Sequence, residues 1–173
     1  MKKIVLALVL SGCAVAPLRT VDTPTLLDAR SLEGTWRVEG TTFPMWLDGT
    51  KQSPRFTYAN FDGPRMDDTV SYEKNGVTET IEGVDTQHST IATHFTWRGR
   101  GLLSLFKSEW DVVYVDARDR FAIITFSKTL ATPAGLDVIA RKKLDDAAWS
   151  DALEHIDAHA ELKALASGLQ RLP

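Results

Sequence analysis

The chain has 173 residues, 43% apolar and 25% charged, with five tryptophans, seven phenylalanines and a single cysteine. That length suits one domain with a sizeable core, and one cysteine excludes both an internal disulfide framework and a thiolate zinc site. The formal net charge is −3 and no basic run exceeds Arg141-Lys142-Lys143, which argues against nucleic acid as a partner.

Lys2 and Lys3 precede a seven-residue apolar run, Ile4 to Leu10, followed by Ser11, Gly12 and Cys13. The run is far shorter than the roughly 20 residues a spanning helix needs. A charged start, a short apolar middle and small residues before a break read as a secretory signal over residues 1–12. Leu10-Ser11-Gly12-Cys13 resembles the lipobox of bacterial lipoproteins, which implies cleavage before Cys13 and acylation of its thiol, with palmitate among the acyl chains. Ala14 after the cysteine, where such lipoproteins carry Asp for inner-membrane retention, implies the outer membrane of a Gram-negative cell, with the domain in the periplasm. The alternative is an ordinary secretory signal with an incidental cysteine. Losing residues 1–12 removes two lysines and leaves 18 basic against 23 acidic residues, a net charge of −5. An acyl anchor, worth about 0.8 kcal/mol per buried CH₂, needs no basic patch to hold a protein on a membrane.

Residues 13–31 hold Pro17 and Pro24 with no sustained period, and read as the lipidated N-terminus and tether. From residue 32 to 173 the pattern changes to short β-branched and aromatic segments broken by Gly, Pro, Asn and Asp. Alternation predicts strands over 36–40, 55–61, 69–74, 77–84, 90–97, 109–115, 121–127 and 136–142. Asn75-Gly76 is a two-residue hairpin signal. These eight or so strands match a closed antiparallel barrel that can hold one small ligand. The apolar loop from Phe43 to Pro54 would either fold over the barrel mouth as a lid or lie flat on its side. Asp145-Asp146 start a helix on whose apolar stripe Trp149, Leu153, Ile156 and Ala160 fall, expected to lie against the barrel exterior. Leu165, Leu169 and Leu172 are expected to touch the surface as the chain returns.

Three segments carry a family resemblance. Leu32-Glu33-Gly34-Thr35-Trp36 is similar to the first lipocalin signature, Trp110 to Asp116 to the strand ending in the second, and Val138-Ile139-Ala140-Arg141 to the third. The similarity runs from residue 32 to about 166, and the lipobox points to the lipid-anchored bacterial lipocalins. The resemblance implies an all-β, eight-stranded up-and-down barrel with a C-terminal helix outside it. It marks Gly34, Trp36, Asp116 and Arg141 as structural signature residues. Arg141 over the Trp36 indole would plug the closed end, a pairing favoured by cation–π attraction. One departure stands out: Arg118-Asp119-Arg120 occupies the place where the family carries a tyrosine after the Asp.

No nucleophile elbow, phosphate loop, dinucleotide fingerprint or zincin motif is found. Neither a catalytic residue nor a cofactor nor a metal is expected. His155 and His159 lie on the flank of the tail helix, and Asp67-Asp68, Glu33 and Glu39 read as turn and strand-exterior groups. The leading expectation is a binding module for a small hydrophobic molecule such as a fatty acid or lysophospholipid, for transport or storage in the envelope. Trp46, Phe56, Tyr58, His94, Trp110 and Tyr114 are the candidate lining residues. His94 and Arg98 would read a head group if they face inward and would be solvated if they face outward. A lipid-modifying enzyme using His94, and a ligand-free structural lipoprotein with a filled barrel, are the alternatives.

Overall fold

The computed structural model describes residues 28–129 and 132–173. The signal segment, Cys13 and the tether up to residue 27 lie outside the described residues. Residues 28–31, expected to end the tether, already belong to the domain. Asp28 caps a 3₁₀ turn, Ala29–Leu32, by accepting the Arg30 N–H, and Ala29 and Leu32 are buried.

Eight antiparallel strands follow in chain order: β1 (Gly34–Thr41), β2 (Gln52–Asp62), β3 (Arg65–Lys74), β4 (Val77–Gln87), β5 (His94–Gly99), β6 (Lys107–Val115), β7 (Ala122–Phe126) and β8 (Gly135–Ala140). Each pairs with the next, and β1 pairs with both β2 and β8, so the sheet closes on itself. Closure removes both edges that an open sheet would expose. The β3–β4 turn is built as its sequence predicts, with Asn75 and Gly76 both at positive φ. The fifth strand begins later than its alternation suggests. Residues 88–93 form the turn instead, where the His94 N–H donates to the Ile91 carbonyl.

Burial follows from what covers each face. Strands β2 and β3 alternate buried with partly exposed residues, because one face lines the interior and the other meets water. Strand β8 is buried at every position from Gly135 to Ala140. Its Ile139 points into the barrel, while Leu136, Val138 and Ala140 point outward beneath helix α2 (Asp146–Ala158). Asp145 caps this helix by accepting the Ala148 N–H. The buried stripe is Ala148, Ala152 and Ile156, rotated from the one expected, and Leu153 is 37% exposed. Two alanines at i, i+4 let the helix axis approach the sheet closely, which larger residues would prevent. Trp149 lies at the edge of this contact, directly over Gly40, where a Cβ would overlap its ring. A bend at His159 leads to α3 (Ala160–Leu165), and β9 (Gln170–Arg171) pairs with Gly40 and Thr41 of β1, past the end of its ladder with β2. Leu165 and Leu169 pack with the outer cluster, as expected, whereas Leu172 packs against the inner one.

The end of the barrel at which β1 begins is closed. The Arg141 guanidinium carbon lies 4.1 Å from the Trp36 ring centroid, while its two amino groups donate to the carbonyls of Glu33 and Ser31, each at 2.7 Å. The Trp36 indole N–H donates to Leu32 O. Gly34 has φ +100°, and a Cβ there would sit 3.1 Å from Arg141 Nη1, so a side chain is unwelcome on both counts. Asp116 follows the last residue of β6 and accepts the backbone N–H groups of Arg118 and Arg120 and two donors of the Arg120 side chain. Those bonds hold the Asp116 carboxyl down at about 2. Arg120 also donates to Asp151 on α2, so the residue standing in the tyrosine's place ties the β6–β7 turn to the helix.

Candidate functional site

The interior is where the inward-facing side chains of all eight strands meet. Its centre is an aromatic stack. Phe95 lies 4.4 Å from Trp110, Trp110 5.7 Å from Tyr58, and Tyr58 6.4 Å from Phe56, the planes of each pair within 15° of parallel. Phe43 and Phe126 meet edge to face beside it. Trp36, Met66 and Val112 complete the packing, and apart from the partly buried Phe126 none of these residues is more than 6% exposed. Side chains with so little accessible surface border no water-sized space, so the interior around them is filled.

The loop after β1 closes the other end. Pro44 starts a one-turn helix, α1 (Pro44–Leu47), and Trp46 turns inward to join the interior cluster. Its ring lies 5.6 Å from Tyr72, and Lys51 Nζ stands 5.0 Å from the Tyr72 centroid and 5.7 Å from that of Trp46. Of the two arrangements expected for this segment, the geometry is that of a lid.

Three carboxyl groups share this apolar interior: Asp68, Asp85 and Asp137. Alternation puts them there. Asp68 shares its face of β3 with Met66 and Val70, directly across from Tyr58 on β2. Asp85 stands opposite Met66, two residues along β4 from the partner of Asp68. Asp137 stands between Thr41 and Ile124 in its two ladders. The Trp110 indole donates to Asp85 Oδ1 at 2.7 Å. Asp68 Oδ1, Asp85 Oδ2, both oxygens of Asp137 and the Trp97 indole nitrogen are buried without a hydrogen-bond partner among the described residues. Burial raises Asp85 to about 7 against the opposing effect of the Trp110 bond. Burial likewise raises Asp137 to about 7, only partly offset by the nearby Thr41 hydroxyl. Asp68 is pushed well up by burial and by Asp85. All three carboxyls act on the Tyr58 phenol, which burial and then their charges push upward. A buried carboxyl lacking a donor holds its proton, because the charged form has lost its water.

The expected lining residues divide. Trp46, Phe56, Tyr58 and Trp110 are in the interior. His94 is not: Phe95 takes the inward position, and His94 lies outside between two carboxylates, Nδ1 at 2.9 Å from Asp111 and Nε2 at 3.0 Å from Glu109. Arg98 is outside too, its guanidinium on the Ser104 carbonyl. Tyr114 is also outside. A bulge between Val112 and Tyr114 spends one extra residue on β6 and turns Tyr114 outward, where it stacks on His155 at 3.6 Å. The carboxyls are what the sequence reading missed. It assigned Asp68 to a turn, although its spacing from Val70 and Tyr72 signals the inner face.

A closed eight-stranded up-and-down barrel, plugged by an Arg–Trp pair and flanked by a C-terminal helix, is the lipocalin fold. Solved structures that share it include the following three. Insecticyanin from the tobacco hornworm Manduca sexta superposes with a TM-score of 0.67 over 90% of this chain and 86% of its own, at 14% identity. Lobster apocrustacyanin A1 gives 0.61 over 84% and 78%, at 14% identity. The siderocalin Ex-FABP gives 0.57 over 82% and 93%, at 10% identity, and is described as acting through dual ligand specificities. No family model and no curated protein matches the sequence.

Proposed function

We propose that this protein is a membrane-tethered binding barrel that takes a small, largely apolar molecule whose head is cationic or donates hydrogen bonds. The observation that carries this reading is the set of unpartnered carboxyl oxygens beside the aromatic stack. An ammonium or a polar N–H would satisfy those acceptors, and the faces of Trp110 and Tyr58 suit a cation. A cationic head draws the protons off these carboxyls and pairs with the carboxylates, which then oppose a fatty-acid carboxylate. The apolar tail expected from the sequence is therefore kept, and a cationic head is preferred to an anionic one. A long-chain amine or the amino end of a single-chain lipid fits. Admission requires α1 to lift, withdrawing Trp46 from the interior. Burial of a chain at about 25 cal/mol per Å², offset by its ordering, points to affinity near micromolar. No step in this function calls for a catalytic residue.

The tether is part of the proposal and rests on Leu10-Ser11-Gly12-Cys13, which would place the domain on the periplasmic face of an outer membrane. Cys13→Ser then blocks acylation and leaves either unprocessed precursor or protein released from its permanent anchor, read as loss of the acylated mature form from the membrane fraction. The head-group preference is tested by tryptophan fluorescence on adding alkylamines, alcohols and fatty acids of equal chain length. Saturable quenching is expected for the amine, weaker for the alcohol and least for the acid. Native mass spectrometry of protein taken from its own membrane then identifies what it carries. The filled interior favours a second reading, a structural lipoprotein with no ligand. That reading stands if no compound gives a saturable change.

A further inference from the structure

The connection between β5 and β6 holds the largest exposed apolar side chains among the described residues. Leu102 is 98% exposed, Leu105 91% and Phe106 55%. In an up-and-down barrel this connection lies at the same end as α1, away from the Arg141 plug. A flexible loop would fold such residues back on the protein. This one is braced so that they cannot do so. Gly101 adopts φ +55° and opens a 3₁₀ turn over Gly101–Leu103. The N–H groups of Leu103, Ser104 and Phe106 donate to Arg100, Gly101 and Leu103, and Gly99 N–H donates to Phe106 O. Arg98 holds the Ser104 carbonyl at 3.1 Å. Leu103 folds back onto Gly99, where any Cβ would overlap it, and this leaves Leu102 and Leu105 facing outward.

We propose that this loop is a membrane-docking tip, which seats Leu102, Leu105 and Phe106 in the head-group and upper acyl region of a phospholipid bilayer. Two features favour lipid over a protein partner. The turn is fixed by its own backbone bonds and by Arg98, which holds the exposed side chains out as a wedge, while the backbone groups of Leu102 and Leu105, bonded to nothing among the described residues, suit the hydrated head-group level. Arg98, Arg100 and Lys107 ring the tip, matching lipid phosphates. Arg100 is paired with Asp67 and Lys107 with Glu109, while the Arg98 guanidinium is bonded to a carbonyl and, among the described residues, to no carboxylate. Insertion is therefore driven mainly by the apolar side chains and strengthened modestly by anionic lipid. Docking at this end would bring the lid to the lipid surface. The inference stands independently of acylation at Cys13.

Cys13 is the only cysteine, so the full chain bearing Cys13→Ser accepts one reporter thiol at a chosen place. A nitroxide on Ser104→Cys is expected to gain oxygen accessibility and lose accessibility to an aqueous relaxer on adding vesicles of equal phosphatidylglycerol and phosphatidylcholine. A nitroxide on Glu154→Cys, on the exposed face of α2, is expected to remain aqueous. Leu102→Ser/Leu105→Ser/Phe106→Ser in the Cys13→Ser chain should lower vesicle partitioning at least tenfold, with unchanged circular dichroism. Leu102→Ser/Leu105→Ser, confined to the two most exposed positions, should retain most of that loss. An aqueous label at residue 104 in the presence of vesicles overturns the proposal. So does unchanged partitioning of the folded variants. A concentration-dependent dimer abolished by the triple substitution would assign the patch to a second copy of the chain and overturn it equally.

Discussion

Replacing Asp137 by Asn removes a carboxyl that is buried with neither oxygen hydrogen-bonded, and so isolates the energetic consequence of the acidic interior. Its carboxyl is raised from 3.8 to about 7, chiefly by burial. The unfolded chain releases this proton near pH 4 and the folded one keeps it to about pH 7, so the folded state binds more protons between those values. The contribution is fully present below about pH 4, declines as pH rises, and is lost above about pH 7. Three units at about 1.36 kcal/mol each set an upper bound of about 4 kcal/mol. The amide keeps an unpaired buried donor, at about 1–3 kcal/mol. Asp137→Asn is therefore expected to be about 1–3 kcal/mol more stable than the parent at pH 8, and equal or less stable at pH 4. At about 2–4 °C per kcal/mol, the difference is read from thermal melts followed by tryptophan fluorescence at pH 4, 6 and 8. Parallel curves for the two proteins across that range would refute the reasoning.

The plug is tested by Trp36→Ala, expected to lose about 3–5 kcal/mol, and Arg141→Ala, about 1–2 kcal/mol. Urea unfolding of the double variant should show coupling of at least about 0.5 kcal/mol, since the groups are in contact. Gly40→Ala drives a methyl into Trp149 and should destabilise by about 1–3 kcal/mol, and Trp149→Leu in the same chain should recover part of that loss in a thermal melt. Asp116→Asn weakens the Arg120 bonds and should destabilise by about 1–3 kcal/mol at pH 7. Because the Asp116 carboxyl lies below its ordinary value, the stability it supplies is present above about pH 4 and fades towards about pH 2, so acid unfolding of parent and variant should converge there.

The barrel was legible because one inner face and one wet outer face impose a period of two, clearest in Phe56 and Tyr58 on β2 and in Val70 and Tyr72 on β3. The plug was legible through Gly34, Trp36 and Arg141, three residues at the two ends of the strand succession. Three things were harder to read. The bulge before Tyr114 adds one residue locally, and nothing in Trp110-Asp111-Val112-Val113-Tyr114 announces it. The helix stripe was assigned to its largest residues, Trp149 and Leu153, whereas close approach to the sheet selects Ala148 and Ala152. Of the interior carboxyls, Asp68 was assigned to a turn and Asp85 and Asp137 drew no reading, because Asp and Glu are almost never fully buried unless paired. Position in the alternation outweighed that preference at Asp68.

Strand β1 is hydrogen-bonded to β2, β8 and β9, and its Arg37 stands opposite Ala140 about 100 residues later. The barrel therefore cannot close while the chain is being made until its last third has emerged. Neighbouring strands from β2 to β7 zip locally and early, but the ring waits for the two ends to find each other. Joining segments so distant in sequence is slow. During that delay β1 and β8 present unpaired edges and the aromatic interior lies open. Substitutions at Arg37, Val38 or Ile139 should consequently act on the rate of folding and on aggregation during it, beyond their effect on the finished barrel.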